Sequence, residues 1–82
     1  MNIRNFDLNL LPVLEALLSE GQVSRAARKL NLSQPATSAA LARLRAAFGD
    51  PLLVREGRAM TPSHLGREML PRLGALLAEI ES

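Results

Sequence analysis

The apolar positions near the start of the chain predict an amphipathic helix over residues 7–19. They recur three and four positions apart, at Leu8, Leu11, Leu14 and Leu18. Pro12 leaves the start of this helix open. If Asp7 is the capping residue, Pro12 lies beyond the first turn and bends the helix; if Asn9 is the cap, Pro12 lies within the first turn, where a missing N–H costs little. Gly21 marks the end of the helix.

Two further helical patterns follow, separated by a turn signal. Residues 23–30 predict a short helix with Ser24 as its N-cap, and residues 34–48 predict a longer helix capped by Ser33. Asn31, between them, tolerates the left-handed backbone conformation that reverses a chain. The predicted buried side of the longer helix consists of Thr37, Leu41, Leu44 and Phe48.

Helical spacing stops after this third helix and returns near the C-terminus. Residues 52–60 contain two short apolar runs on either side of a turn at Gly57, which predicts a small β-hairpin. Residues 62–81 predict a long final helix with Thr61 as its cap and Pro62 at its first position. Its apolar stripe comprises Leu65, Met69, Leu73, Leu76 and Ile80. Because no other segment remains to cover this stripe along its whole length, we expect it to face a partner.

Composition narrows the class of protein. The 82 residues are enough for one small domain, and 48% of them are hydrophobic, which is too many for a disordered chain. The absence of cysteine removes disulfides and thiolate zinc sites and fits a cytoplasmic protein. No apolar run reaches the ~20 residues of a membrane span, and the N-terminus lacks the pattern of a signal peptide.

The charged residues are unevenly distributed. The net charge is only +2, but residues 21–58 carry seven basic and two acidic side chains, whereas the rest of the chain carries three basic and six acidic ones. This basic segment favours a polyanionic partner, although a solvated basic surface gives the same count. The sequence does not predict an enzyme, because it has no cysteine, a single histidine (His64) and no phosphate-binding glycine loop.

Two short helices joined by a tight turn, with a helix before them and a hairpin after them, are typical of a winged helix-turn-helix. In that fold the second helix of the pair enters the major groove of DNA with its N-terminal end first. Ser33 would cap this end so that its free N–H groups face a phosphate. Gln34 carries the donor and acceptor that match the edge of adenine. Pro35 and Ala36 are small enough to lie against a thymine methyl group.

Three stretches of the chain resemble the N-terminal DNA-binding domain of LysR-type transcriptional regulators: DLNLLPVLEALL, VSRAARKLNLSQPATSAALARLRAAFGDPLLVR and GRAMTPSHLGREML. The similarity covers nearly the whole chain from Leu8. DLNLL and FGDPLLVR are most similar to the branch that holds nodulation and aromatic-degradation regulators. The resemblance implies a mostly α fold, in which residues 1–61 form a winged helix-turn-helix of three helices with a β-hairpin wing and residues 62–82 form a linker helix for dimerisation.

The resemblance also implies roles for individual residues. The implied base contacts are Gln34, Pro35, Ala36 and Thr37. The implied DNA backbone contacts are Ser33, Ser38, Arg43 and Thr61. Arg58 at the hairpin tip would enter the minor groove, where a narrow A·T tract attracts arginine. The implied dimer interface is the final stripe, Leu65, Met69, Leu73, Leu76 and Ile80. Ala39 stands where many members carry a basic or histidine side chain, so we expect weaker direct readout there.

The implied function is sequence-specific binding of double-stranded DNA by a bacterial homodimer that regulates transcription. The family's effector-binding domain would follow Ser82, so we expect these residues to be a fragment rather than a natural short form. No cofactor is expected in this chain; a small-molecule co-inducer is expected for the missing domain, and a tetramer for the full-length protein. Two alternatives remain, namely a winged helix that contacts only proteins and an architectural protein that binds all DNA sequences equally.

Overall fold

The computed structural model of the protein describes residues 2–82. Its elements are α1 (Leu10–Glu20), α2 (Val23–Leu30), α3 (Gln34–Phe48), β1 (Leu53–Glu56), β2 (Ala59–Pro62) and α4 (His64–Glu81). A single 3₁₀ turn, Ile3–Asn5, precedes α1. Three helices, an antiparallel hairpin and a long final helix confirm the predicted winged helix-turn-helix followed by a linker helix.

Helix α1 begins later than its apolar pattern predicts, at the position expected if Asn9, and not Asp7, precedes the helix. Asn9 precedes the first helical residue, Leu10, although its side chain makes no capping hydrogen bond. Pro12 is therefore the third helical residue, where no intrahelical hydrogen bond is lost. Asp7 stabilises the turn that leads into the helix, because its Oδ1 accepts the Asn9 N–H at 2.9 Å. Gly21, with a φ of 71°, ends the helix in the left-handed conformation.

The core of the domain is built around α1, which packs against α2, α3 and α4. Leu14 and Leu18 are buried as the pattern predicted, but Leu8 lies before the helix and is 56% exposed. The buried residues of the helix are Leu10, Val13, Leu14, Ala16, Leu17 and Leu18. They cover more than half of its circumference, as expected for a helix that has neighbours on three sides.

The turn between α2 and α3 is formed at Asn31, as predicted, with a φ of 55°. The cap of α2 differs from the prediction, because Gln22 precedes the helix and Ser24 is its second residue. The N-terminal end of α2 therefore has no side-chain cap. Its first N–H groups are left for solvent or for another molecule.

Helix α3 buries the side that the sequence predicted. Thr37, Leu41 and Leu44 are buried, and Phe48 is half-buried at the far end of the helix. The ring of Phe48 meets that of Phe6 edge to face, with 5.9 Å between the ring centroids. This aromatic pair fastens the segment before α1 to the C-terminal end of α3.

The wing is an antiparallel hairpin that extends two residues beyond the predicted one. Its strands pair Leu53 with Pro62, Val54 with Thr61, Arg55 with Met60 and Glu56 with Ala59. Gly57 and Arg58 form the turn, and the φ of 63° at Gly57 is the positive value that the first position of a type II′ turn needs. Arg45 of α3 anchors the hairpin, since its Nε donates to Pro51 O at 2.7 Å and its Nη2 to Leu53 O at 3.0 Å.

Helix α4 starts two residues later than predicted. Thr61 belongs to β2, and the cap is Ser63, whose Oγ accepts the Gly66 N–H at 3.1 Å and donates to Asp50 Oδ2 at 2.6 Å. The same carboxylate oxygen accepts the Leu52 N–H at 2.8 Å. The hydrogen bond from Ser63, and then that from Leu52, lower the pKa of the Asp50 carboxyl below its ordinary value of 3.8.

Gly66 brings the start of α4 close to the core. A Cβ on this residue would lie 2.9 Å from Leu18 Cδ2, 2.9 Å from Leu52 O and 3.2 Å from Pro62 Cβ. Glycine is therefore required here by close approach, and its φ is an ordinary one. Any larger residue would push α4 away from α1 and from the end of the wing.

The apolar stripe of α4 is divided between the chain's own core and its surface. Leu73 is 7% exposed and belongs to the core, and Leu65 and Met69 are half-buried against it. Leu76 and Ile80, at the C-terminal end, are 47% and 69% exposed. The stripe is thus covered over its first three members and not over its whole length, as the sequence predicted.

Candidate nucleic-acid interface

The outward face of α3 consists of small side chains. Opposite its buried side, four exposed residues follow one another at helical spacing: Pro35, Ala39, Ala42 and Ala46. Apart from the proline ring, none of these side chains extends beyond Cβ, so the helix backbone lies close to the surface of the domain. Another molecule can therefore approach α3 closely along most of its length.

The N-terminal end of α3 is capped by Ser33, as predicted. The Oγ of Ser33 accepts the Ala36 N–H at 3.1 Å, which leaves its O–H available to donate. The N–H of Gln34 has no partner within the helix, and this end carries the positive part of the helix dipole. Because Ser33, Gln34, Pro35 and Ala36 are all exposed, these donors lie at an end of the helix that another molecule can reach.

Thr37 does not belong to this surface. Its side chain lies in the core with no exposed area, and its Oγ1 donates to Ser33 O at 2.9 Å. The prediction that Thr37 contacts a base is therefore wrong, because a buried side chain whose hydroxyl is already hydrogen-bonded cannot reach a base edge. Its hydroxyl instead binds the carbonyl of the capping residue Ser33 from the core side of the helix.

The wing and the N-terminal ends of α2 and α3 surround an open groove of about 340 Å³. It is lined by Gln22, Val23 and Ser24, by Gln34, and by Arg55, Arg58 and Met60. The structure thus brings Arg58, the predicted minor-groove residue, to the same groove as Gln34, the predicted base reader. Two arginines and two helix N-termini around one groove create a positive potential that suits a chain of phosphates.

Two more predicted DNA contacts flank the outward face of α3 on opposite edges. Ser38 is exposed on the edge that also holds Gln34, one turn further along the helix. Arg43 is exposed on the other edge, and its Nη2 lies 3.4 Å from Asp7 Oδ2. The arginine predicted to bind the DNA backbone is therefore already paired within the chain.

The predicted phosphate contact at the start of the last helix loses its structural basis. Thr61 is the predicted cap of that helix, but in the structure it is a half-buried residue of β2 paired with Val54. The true cap, Ser63, is 9% exposed and its hydroxyl already donates to Asp50. Neither hydroxyl is presented at an exposed helix end.

Comparison with known proteins identifies the family. Residues 8–67 match the model of the bacterial regulatory helix-turn-helix proteins of the LysR family. The chain belongs to the LysR family. It is 46% identical over 81 residues to nodulation protein D 1 of Rhizobium meliloti (strain 1021), an alignment that covers 99% of this chain and 26% of that protein. Nodulation protein D 1 of Bradyrhizobium sp. (strain NC92) is 48% identical over 80 residues, covering 98% and 23%. The chain thus spans about a quarter of the length of these LysR-family relatives.

Solved structures of LysR-family proteins have the same fold. A probable transcriptional regulator from Pseudomonas aeruginosa superposes with a TM-score of 0.89 at 37% identity, covering 96% of this chain and 26% of that one. The BenM DNA-binding domain, solved in complex with catB site 1 DNA, gives a TM-score of 0.83 at 26% identity, covering 93% and 85%. The chain is therefore the DNA-binding domain of a LysR-type transcriptional regulator, a family of regulators and not of enzymes. Regulators of this family commonly bind co-inducers in a C-terminal domain, which these 82 residues do not include.

Two residues of this candidate interface were not predicted from the sequence. Arg55 lines the groove beside Arg58, and its position in a short strand next to the predicted wing tip was the available signal. Asp7 pairs with Arg43 across 36 positions of sequence, and no local pattern indicates such a contact. Within residues 2–82, no group of three or more His, Asp or Glu side chains could hold a metal ion, and no helix is long and apolar enough to cross a membrane.

Proposed function

We propose that this domain binds double-stranded DNA sequence-specifically and thereby regulates transcription in the bacterial cytoplasm, with α3 in the major groove and the wing in the minor groove. The observation that carries the proposal is the outward face of α3, where Gln34 precedes a line of small residues that lets the helix approach base edges. The related BenM domain, which has the same fold, was solved with catB site 1 and benA site 1 DNA.

The base contacts lie at the N-terminal end of α3. The amide of Gln34 can both donate and accept, which matches the N7 and N6 positions of adenine. Pro35 and Ala36 are exposed and apolar beside it, and so suit contact with a thymine methyl group. Ala39 continues this face without a polar group, so readout further along α3 depends on shape and not on hydrogen bonds.

The phosphate and minor-groove contacts surround these residues. Ser33 and Ser38 offer hydroxyl donors at the head of α3, and Arg43 offers a guanidinium further along the helix. Arg58 lies at the tip of the wing, where it can enter a narrow minor groove. Arg55, in the strand before this tip, adds a second positive charge to the groove that Arg58 lines, where it can contact DNA phosphates.

We further propose that α4 pairs with α4 of a second copy. Leu76 and Ile80 are the exposed large apolar residues of this helix, and Leu65 and Met69 extend the same stripe toward the core. Leu73, which the sequence assigned to the interface, contributes to the chain's own core instead. A two-fold dimer would present two copies of α3 to half-sites one helical turn or a multiple of it apart. A tetramer of the longer protein would bring four such helices together.

The experiment that tests DNA binding starts from duplexes selected by the protein from a random pool. Dissociation constants are then measured for a selected duplex and a scrambled one at several salt concentrations. Gln34→Ala should cost about 1–3 kcal/mol on the selected duplex and relax the base preference. Arg43→Ala should weaken both duplexes alike and reduce the salt slope by about one. Thr37→Val is the matched control, because this buried side chain should leave base preference unchanged.

The other outcomes identify the alternatives. Equal losses for Gln34→Ala and Arg43→Ala on both duplexes would contradict the division into base and backbone contacts. Equal affinity for every sequence would indicate an architectural protein. A folded domain that binds no duplex at low salt would indicate a winged helix that contacts proteins only.

A further inference from the structure

Asp7 places a carboxylate against the arginine that α3 offers to DNA. The Arg43 Nη2 lies 3.4 Å from Asp7 Oδ2, and the two side chains are 62% and 37% exposed. Asp7 belongs to the segment before α1, so the pair is a tertiary contact that exists only in the folded domain. Arg43 is exposed on one edge of the outward face of α3, where a phosphate would approach.

We propose that Asp7 competes with DNA phosphate for Arg43 and so sets the affinity of the domain for DNA of any sequence. The inference rests on the proposed role of Arg43 as a backbone contact. An exposed ion pair of this kind is weak enough to exchange, and a phosphate and a carboxylate bind the same guanidinium donors.

The structure fixes the carboxylate and leaves the arginine to move. Asp7 Oδ1 accepts the Asn9 N–H at 2.9 Å, and the Asp7 carbonyl accepts the Leu10 N–H at 3.0 Å. The neighbouring Phe6 is held by the edge-to-face contact with Phe48. When the long side chain of Arg43 turns to a phosphate, Asp7 therefore stays behind as an unpaired negative charge near the DNA.

This competition has two consequences for binding, and the Arg43→Ala background distinguishes it from a simple loss of charge. The first is a uniform effect, because Asp7 acts through a phosphate contact and cannot change base preference. The second concerns salt: the carboxylate released by Arg43 repels the nearby phosphates, and salt screens this repulsion. Removing Asp7 should therefore give its largest gain at low salt, and so steepen the dependence of binding on salt, by less than the one ion of a full phosphate contact.

The test compares Asp7→Asn, Arg43→Ala and the double variant with the unchanged protein. Asparagine keeps the Oδ1 that accepts the Asn9 N–H, so the local turn is preserved. The matched control is Glu79→Gln at the far end of α4, which raises the net charge by the same amount. Binding is measured on a mixed-sequence duplex of roughly 20 base pairs, about two helical turns, and on a duplex selected by the protein.

We expect Asp7→Asn to bind both duplexes about two- to fivefold more tightly at low salt, with the steeper salt dependence. The gain should be smaller in the Arg43→Ala background, where only the repulsion between Asp7 and the DNA remains, and absent in Glu79→Gln. An equal gain in the Arg43→Ala background or in the control would overturn the proposal, as would weaker binding by Asp7→Asn. If Arg43→Ala alone leaves binding unchanged, Arg43 has no backbone role and both the premise and the inference fail, while the role of Gln34 stands. If Asp7→Asn does not fold, Asp7→Ser supplies an alternative acceptor for Asn9, and the same outcomes apply.

Discussion

Gly66 gives the sharpest structural prediction, because two glycines of the same helix have opposite surroundings. Alanine in place of glycine favours a helix by about 1 kcal/mol. At Gly74 the new Cβ would meet only Glu15 Oε2, at 3.7 Å, so that gain should be retained. At Gly66 it would lie 2.9 Å from Leu52 O, a carbonyl held by the Ser63 N–H at 2.8 Å. Overpacking of this kind costs about 1–3 kcal/mol or more, which exceeds the gain in propensity.

The measurement is thermal unfolding of the two single variants beside the unchanged protein. For a domain of this size, 1 kcal/mol corresponds to roughly 4–8 °C in Tm. We expect Gly74→Ala to raise Tm and Gly66→Ala to lower it, with roughly 4–24 °C between the two variants. If both alanines raised Tm equally, α4 would not lie against Leu18 and the end of the wing as described, and the division of its stripe between core and surface would be wrong.

Three further predictions concern α4 and its attachment. Ser63→Ala should cost about 1 kcal/mol of the free energy of unfolding, whereas Thr61→Ala should change it by less than about 0.5 kcal/mol; the reverse order would restore Thr61 as the cap. Because the folded-state pKa of Asp50 lies below its ordinary value, its contribution to stability is complete above about pH 5 and is lost as pH falls through the folded-state pKa. Asp50→Asn should therefore reduce the loss of Tm in melts between about pH 7 and about pH 2, and an unchanged acid dependence would contradict the capping network. Ile80→Glu should shift sedimentation at micromolar concentration from dimer to monomer, while Leu32→Glu, at an exposed leucine outside α4, should not; an unchanged protein that sediments as a monomer would contradict dimerisation through α4.

Local signals predicted the turn and the head of α3 correctly. Ser33 and Asn31 adopt the predicted conformations because capping and the left-handed turn depend on a few adjacent residues. The same kind of signal failed where two candidates stood close together. Thr61 and Ser63 stand on either side of Pro62, and both are residue types that commonly cap helices. Ser63 is the cap in the structure, where its hydroxyl donates to Asp50, thirteen positions earlier.

The candidate site shows the same limit of sequence reasoning. The motif around Gln34 predicted that the N-terminal end of α3 is accessible, and residues 33–36 are exposed in the structure. The resemblance implied a base contact for Thr37, yet the apolar pattern of the helix places it on the buried side, and the structure agrees with the pattern. Leu73 had the spacing of an interface residue, but spacing cannot tell a partner from the chain's own α1. The contact of Asp7 with Arg43 depends on the tertiary fold alone.

In α3, the residues that stabilise the core and the residues that we assign to DNA contact lie on opposite faces of the helix. Ala39, Ala42 and Ala46 contribute nothing to the core, so a longer side chain at any of them would change stability by no more than about 0.7 kcal/mol through helix propensity. Each of these positions is nonetheless directed toward the surface that we assign to DNA. A lineage carrying this domain can therefore acquire a new operator preference by single substitutions, without first accumulating compensating changes in its interior. For an engineer, Ala39 is the first place to install a new base-reading side chain, because it is the nearest of the three alanines to the base-contacting end of α3.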